Sequence, residues 1–437
     1  MAEHPKILIG ASIPRSGHHF LARLLKEILR EDLHYCEFYT PPGCCKRIPC
    51  TKRTGAALIY QKQHDRKGEV PQDVARALYV VQHRHPIPQA LSDRELNLAD
   101  APARQPAPWR RSRAYHEQWL AAQGAYVRRF HDRWIAAGPP NAIRIAYERL
   151  SAEPEAVLAE LLEAAGLPPR PERIAEAVAA VRPVRVSGVL GAPHRFTPRR
   201  IEDSPAFEPD LHGAYEDWLL PRIPAFGFSR MVPEGRIAGH PLAALLLLTD
   251  TREALPDGET DRLSAAARIA PGHPAIEMLL ADRERRGGEP AAAFRRLLAL
   301  AERAPYWAPL WPRLFQLAEQ LRERVPAALL TGEAMVTLSG EPQVLLRGAA
   351  ALLREYRATE ALAAIAIAAE FLPPEATGAR AEAHLLRSSA LLMLRDRRRA
   401  LAEAEAAHAL DPENPRVAAA LERARTAAED HAGKGRA

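Results

Sequence analysis

Cysteine is scarce: four in 437 residues. All four fall between positions 36 and 50, so no disulfide framework can hold the rest of the chain, and folding must rest on apolar burial. At this length two domains are expected, each able to bury its own core. Long apolar runs are lacking too. "PLAALLLL" at 241–248 is well short of the ~20 residues that cross a bilayer, and the opening MAEHPK has no signal-peptide character. A cytoplasmic protein without a membrane span is the expectation. Neither charge dominates, with 60 Lys+Arg against 54 Asp+Glu and a net +6. That mild excess suits a small anionic ligand or a solvated surface and gives no reason to expect nucleic acid.

Residues 5–30, "PKILIGASIPRSGHHFLARLLKEILR", read as strand, tight loop and amphipathic helix. Unpaired N–H groups at such a helix start favour an anion. What this loop lacks is the G-K-[ST] of a Walker A motif. His18 and His19 follow Gly17 and cannot replace the lysine on terminal phosphates or the hydroxyl on magnesium, which disfavours a kinase or ATPase. The cation sits inside the loop instead, at Arg15, before Ser16 and Gly17.

Up to about residue 235, short β-branched runs alternate with helical ones. Strands are expected at Lys6 to Gly10, Ala57 to Gln61, Leu78 to His83 and Ala142 to Tyr147, with helices at 18–30, about 114–137, and 153–165. The pattern implies an α/β domain with a parallel sheet, helices on both faces, and a ligand site at the carboxyl ends of the strands. The cysteines Cys36, Cys44, Cys45 and Cys50 read either as a zinc knot or as structural thiols or disulfides. Without C-x2-C pairs the second reading is favoured, as a cross-linked or thiol-packed loop without catalytic duty.

"IPRSGHHFL" resembles the 5'-phosphosulfate loop of sulfotransferases that use 3'-phosphoadenosine 5'-phosphosulfate. "YVVQHRHPIPQALSDREL" resembles that family's 3'-phosphate motif through Arg84, Pro86 and Ser92. Between them Lys62 and His64 resemble its Lys-x-His, and "AIRIAYERL" its late strand and turn. The resemblance covers roughly residues 5–230. It implies donor binding by Arg15, Ser16, Gly17, His18, His19, Arg84 and Ser92. It also implies catalysis by His64 as base with Lys62 and Arg15 offsetting charge, with no metal needed. Asp65 is the rival base. Tyr147 and Glu148 are expected to be structural, and Ser151 or its neighbour to cap the next helix. The family's basic Gly-rich closing motif has no clean copy; Arg195 or Arg199 is the candidate substitute. The implied acceptor is a hydroxyl, on a carbohydrate or glycolipid.

From 240 to 437 a 34-residue period appears. Ala266, Leu300, Ala334 and Ala368 keep it, as do Ala293, Ala327 and Ala361. Ser388, Ala400 and Ala407 resume it after an insertion at 374–380. Small residues at fixed places, with Pro271, Pro305, Ser339 and Pro373 marking the ends of units, describe paired antiparallel helices. This half resembles a tetratricopeptide-repeat solenoid, with units starting near 240, 274, 308, 342 and 381, a capping helix from Pro415, and a possible protein partner. The whole reads as a donor-dependent sulfotransferase. A nucleotide-binding scaffold without turnover, or a kinase, is the alternative.

Overall fold

A computed structural model of the chain describes residues 6–38, 44–52, 55–99, 108–167, 170–181, 184–186, 193–195, 200–330, 332–338 and 340–434. It divides into two compact units. One comprises residues 1–97 and 119–254, the other residues 98–118 and 255–437.

The first unit is built on five parallel strands, β1 (Lys6–Ser12), β2 (Leu33–Glu37), β3 (Leu58–Gln63), β4 (Ala77–His83) and β5 (Ala142–Ala146), in the order β2-β3-β1-β4-β5. Central strands covered on both faces should be almost continuously apolar. KILIGAS and ALYVVQH of β1 and β4 are of that kind and are almost wholly buried. Register pairs Ile9 with Gln61 on one side and with Tyr79 on the other. Side chains alternate between the two faces. Leu8, Tyr60 and Val80 join a core with Leu21, Leu24 and Leu25 of α1 (His18–Leu29), Leu158 and Leu161 of α5 (Pro154–Ala164), and Val178 of α6 (Pro171–Val181). Tyr79 packs against Trp134 with the rings tilted, 5.6 Å between centroids.

The remaining helices of this unit are α2 (Pro86–Ala99), α3 (Arg113–Phe130), the short α4 (Tyr147–Ala152), α7 (Pro209–Leu219) and α8 (Pro241–Thr249). The unit boundaries fall near the end of α2 and within α3. Helix α3 continues as a π-helical turn, His131–Ala136. The N-cap of α5 is Glu153, two residues past Ser151, and Pro154 opens the helix with the φ it prefers. Chain order places β2 and β3 to one side of β1 and β4 and β5 to the other. The crevice at the carboxyl ends of β1, β3 and β4 is therefore the switch point where such sheets bind ligands.

The second unit is helical: α9 (Arg262–Ile269), α10 (Pro274–Arg286), α11 (Pro290–Arg303), α12 (Leu310–Leu321), α13 (Gly332–Leu338), α14 (Pro342–Arg354), α15 (Ala358–Phe371), α16 (Thr377–Met393), α17 (Arg397–Leu410) and α18 (Pro415–Lys434). Neighbours α10 and α11, α14 and α15, and α16 and α17 pack pairwise, and α18 lies on α16 and α17. Every residue carrying the 34-residue period, from Ala266 and Ala293 to Ala400 and Ala407, is buried. Small side chains there let paired helices approach closely. The third unit departs from the plan, because Ala327 stands in a single 3₁₀ turn after Pro326 instead of a second long helix. Residues 98–118 join this unit through Trp109, 5.5 Å from Trp307 between centroids, and Glu117, 3.3 Å from His273. Among the described residues no helix is long and apolar enough to cross a membrane.

Candidate active site

Loop 13–17 turns sharply between β1 and α1. Arg15 has φ +65° and Gly17 φ +83°, the left-handed region that glycine adopts freely. Glycine is needed at 17 for a second reason: a Cβ there would lie 2.6 Å from Cδ2 of Tyr147. The turn brings three expected residues together. Arg15 Nε donates to Ser92 Oγ at 3.0 Å, and Arg84 Nη1 donates to the Arg15 carbonyl at 3.3 Å. The Arg84 guanidinium rests on the Tyr147 ring, 4.4 Å from its centroid. Glu148 accepts the His85 N–H at 3.0 Å, pinning the chain just after Arg84. Gln89 of α2 donates to the Pro14 carbonyl at 3.1 Å, a second tie between the two loops.

Two residues at the start of α1 carry an unpaid polar cost. Ser16 is fully buried and its Oγ has no hydrogen-bond partner; His18 is buried with neither ring nitrogen bonded. Burial first, and then the charge of Lys62, keeps the His18 ring well below the usual histidine range and therefore neutral. Orphaned donors in a basic loop at a helix N-terminus fit an anion, whose oxygens would satisfy them. His19 is turned elsewhere, its Nε2 3.3 Å from Glu37 Oε1.

Lys62 and His64 follow from the end of β3. Lys62 is buried, with Nζ 3.0 Å from Glu37 Oε1. The hydrogen bond from His19 holds Glu37 down at about 2, Lys62 assisting against the cost of burial, so this carboxylate stays ionised beside them. His64 Nδ1 donates to the Ser12 carbonyl at 2.8 Å, leaving Nε2 as the acceptor nitrogen. Its ring lies edge-on to His18, 4.9 Å between centroids. Burial, and then Lys62, push its pKa down to about 3, so it rests neutral. Tyr126 of α3 donates its hydroxyl to the His64 carbonyl.

Asp65 has a different surrounding. Its carboxylate accepts from Val70 N at 3.0 Å, Arg133 Nε at 2.9 Å and Trp134 Nε1 at 2.8 Å. Those bonds brace the turn after His64 from the α3 side. Sequence reasoning missed Glu37, Tyr126 and the stacking role of Tyr147. Glu37 ends β2, a strand too polar to show in the pattern. Arg195 ends a two-stranded antiparallel ribbon, Val184–Val186 with Pro193–Arg195; its side chain, like Arg199, lies outside the described residues.

Residues 74–172 match the model of the sulfotransferase family. The matched segment contains Arg84, Ser92, Tyr147 and Glu148, while loop 13–17, Lys62 and His64 precede it. No curated protein and no solved structure matches the chain. The match indicates a transferase of the sulfotransfer class, and it agrees with the motifs that carry the resemblance and with the parallel sheet and helices around them.

Proposed function

We propose that this chain, with its sulfotransferase-family segment at residues 74–172, moves a sulfuryl group from 3'-phosphoadenosine 5'-phosphosulfate to an acceptor hydroxyl. The observation that carries the proposal is the convergence of Arg15, Ser92, Arg84, Lys62 and His64 on the carboxyl ends of three adjacent strands. The orphaned Ser16 hydroxyl and His18 ring nitrogens mark where anionic oxygens are wanted. Arg84 and Ser92 suit the 3'-phosphate, a guanidinium fork and a hydroxyl being its natural donors. Arg15, Ser16, Gly17 and His18 suit the 5' side.

The donor supplies an activated sulfuryl group; the chain supplies position and field. His64, fixed by Ser12 in the tautomer whose Nε2 accepts, takes the acceptor's proton. Lys62, Arg15 and the N–H groups at the start of α1 offset negative charge on the leaving phosphate. Burial first, and then the charge of Lys62, hold the His64 ring at about 3. Donor phosphates beside Lys62 and Arg15 would raise the His64 pKa toward the range where a base works best. Asp65, its oxygens already engaged by three donors, is the poorer base. A carbohydrate or glycolipid acceptor follows from the resemblance, and protein docking on the helical unit from its repeat character.

Calorimetry of the full chain with the bisphosphate product, against ATP and magnesium, tests the reading. Preferential binding of the bisphosphate is expected. Preference for the nucleoside triphosphate with magnesium overturns it in favour of a kinase, and binding without turnover on any hydroxyl acceptor leaves a scaffold.

A further inference from the structure

At the outer edge of the sheet β2 meets the loop 44–50, and three thiols gather there with His34 beside one of them. Cys36 and Cys50 are buried and Cys45 is half-buried, and their sulfur atoms lie within 4.8 Å of one another. Cys45 Sγ and Cys50 Sγ are 3.5 Å apart, and His34 Nε2 is 3.8 Å from Cys50 Sγ. His34 and Cys36 are two apart on β2, so both project to one face of the sheet. All four cysteines of the chain are free thiols.

We infer that Cys36, Cys45 and Cys50 supply three ligands of a structural zinc site, with His34, beside Cys50, as the fourth. Zinc holds sulfur at ~2.3 Å and imidazole nitrogen at ~2.0–2.1 Å in a tetrahedron, which requires S···S edges of ~3.8 Å and S···N edges of ~3.6 Å. The 3.5 and 3.8 Å separations are close to those edges. A disulfide needs its sulfurs at ~2.05 Å. Outer partners are in place as well: Gln61 Nε2 points its N–H at Cys36 Sγ across 3.9 Å and also donates to the Arg47 carbonyl at 2.6 Å, tying strand to loop. Cys44 packs against the same cluster, its sulfur accepting the Lys46 N–H at 3.1 Å, but it is not among the three thiols whose sulfurs lie within 4.8 Å of one another. The spacing explains why the sequence argues against zinc. Ligands come as His-x-Cys on a strand and Cys-x4-Cys in a loop, not as C-x2-C pairs.

On binding, three S–H bonds are replaced by three Zn–S bonds and the protons pass to solvent, while His34 binds as neutral imidazole. The resulting net charge of −1 is flanked in sequence by Lys46, Arg47 and Lys52. The site staples the edge strand whose last residue, Glu37, holds Lys62 and His19.

The test uses the full chain, purified reduced and without a metal-affinity step, its metal content measured by plasma mass spectrometry and its apo form titrated with Co²⁺. About one equivalent of zinc is expected, together with thiolate-to-cobalt absorption on titration. Cys45→Ser and Cys50→Ser should each lower retained zinc at least tenfold, and Cys44→Ala should retain it. Should those serine variants fail to fold, alkylation of the unmutated chain still decides. With zinc present only Cys44 should react readily, and after chelation Cys36, Cys45 and Cys50 should join it. Less than a tenth of an equivalent with no cobalt–thiolate absorption, equal reactivity of all four thiols with and without zinc, or a Cys45–Cys50 disulfide in the freshly isolated chain would each overturn the inference.

Discussion

Arg15 Nε donates to Ser92 Oγ at 3.0 Å, so the loop after the first strand and the helix after the fourth are joined through two of the side chains proposed to hold the donor. A ligand drawing on either loop is presented with both. Arg84 closes the arrangement by donating to the Arg15 carbonyl while lying on Tyr147. A guanidinium held by a ring face and a carbonyl is pre-organised, so little side-chain freedom is lost when it binds an anion.

Arg84→Ala should therefore weaken the 3',5'-bisphosphate by about 10-fold to 150-fold, the ~1.5–3 kcal/mol of a charge-assisted hydrogen bond, and weaken the analogue lacking the 3'-phosphate far less. Calorimetry on the two ligands separates the cases. Equal losses for both would mean that Arg84 shapes the loop without reading that phosphate.

Four histidines of the α/β unit, His18, His64, His83 and His85, have pKa values lowered first by burial. His64 is lowered to about 3 and His83 to about 4, against an unfolded value of ~6.5. Between those limits the unfolded chain binds more protons than the folded one, so stability rises with pH across the window and falls on acidification. Glu37, held at about 2, acts in the same direction at lower pH, its contribution fading below its unfolded value. The thermal midpoint of the donor-free chain should drop steadily from about pH 6.5 to 4. His83→Gln, which removes one titrating group away from the proposed donor loop, should flatten the slope. An unchanged midpoint across that range would mean the imidazoles are open to protonation in the folded state.

The strands that position the site are legible because β1 and β4 are buried on both sides and so must be largely apolar runs, and β3 opens with one, Leu58–Tyr60, before its polar end. LHYCE of β2 sits at the sheet edge, with His34, Glu37 and a thiol in five residues, and no apolar pattern announces it. Missing that strand hides Glu37, and with Glu37 the reason why Lys62 and His19 can be held close together. The repeat was readable for the opposite reason: close helix packing admits only small residues, and they recur visibly. What spacing cannot convey is which neighbours a helix chooses. Helix α8 begins at Pro241, where the period starts, yet it is counted with the α/β unit. Its Thr249 hydroxyl reaches the Ala121 carbonyl of α3 at 3.5 Å, and Leu246 abuts Gly124.

That packing makes the point of truncation matter. Asp250 and Glu253 pair with Arg128, and Glu253 also pairs with Arg222 at 2.8 Å. A chain ending after Ala254 keeps α8 and these pairs; one ending after Gly235 loses them and uncovers the apolar surface beneath α8. Ending at 235 should cost about 2–5 kcal/mol relative to ending at 254, from stranded half-buried arginines and lost leucine burial. Urea unfolding of the two truncated chains measures the difference. Equal midpoints would mean that α8 contributes nothing to this unit.

The proton acceptor is the sharpest point on which the site can be tested, because His64 and Asp65 are adjacent and their environments differ. His64 offers Nε2 with its other nitrogen fixed on the Ser12 carbonyl; Asp65 spends its oxygens on Val70, Arg133 and Trp134. His64→Ala should lower kcat by about 100-fold to 10,000-fold, the usual contribution of a positioned base, while donor affinity stays nearly constant. Asp65→Asn keeps the shape but weakens two N–H bonds to the carboxylate, so its loss should appear in thermal stability and only secondarily in rate. If Asp65→Asn is inactive at full stability and His64→Ala still turns over, the carboxylate is the base and the histidine lines the loop. If both variants keep near-normal kcat, neither takes the proton, and the end of β3 does not carry the chemistry.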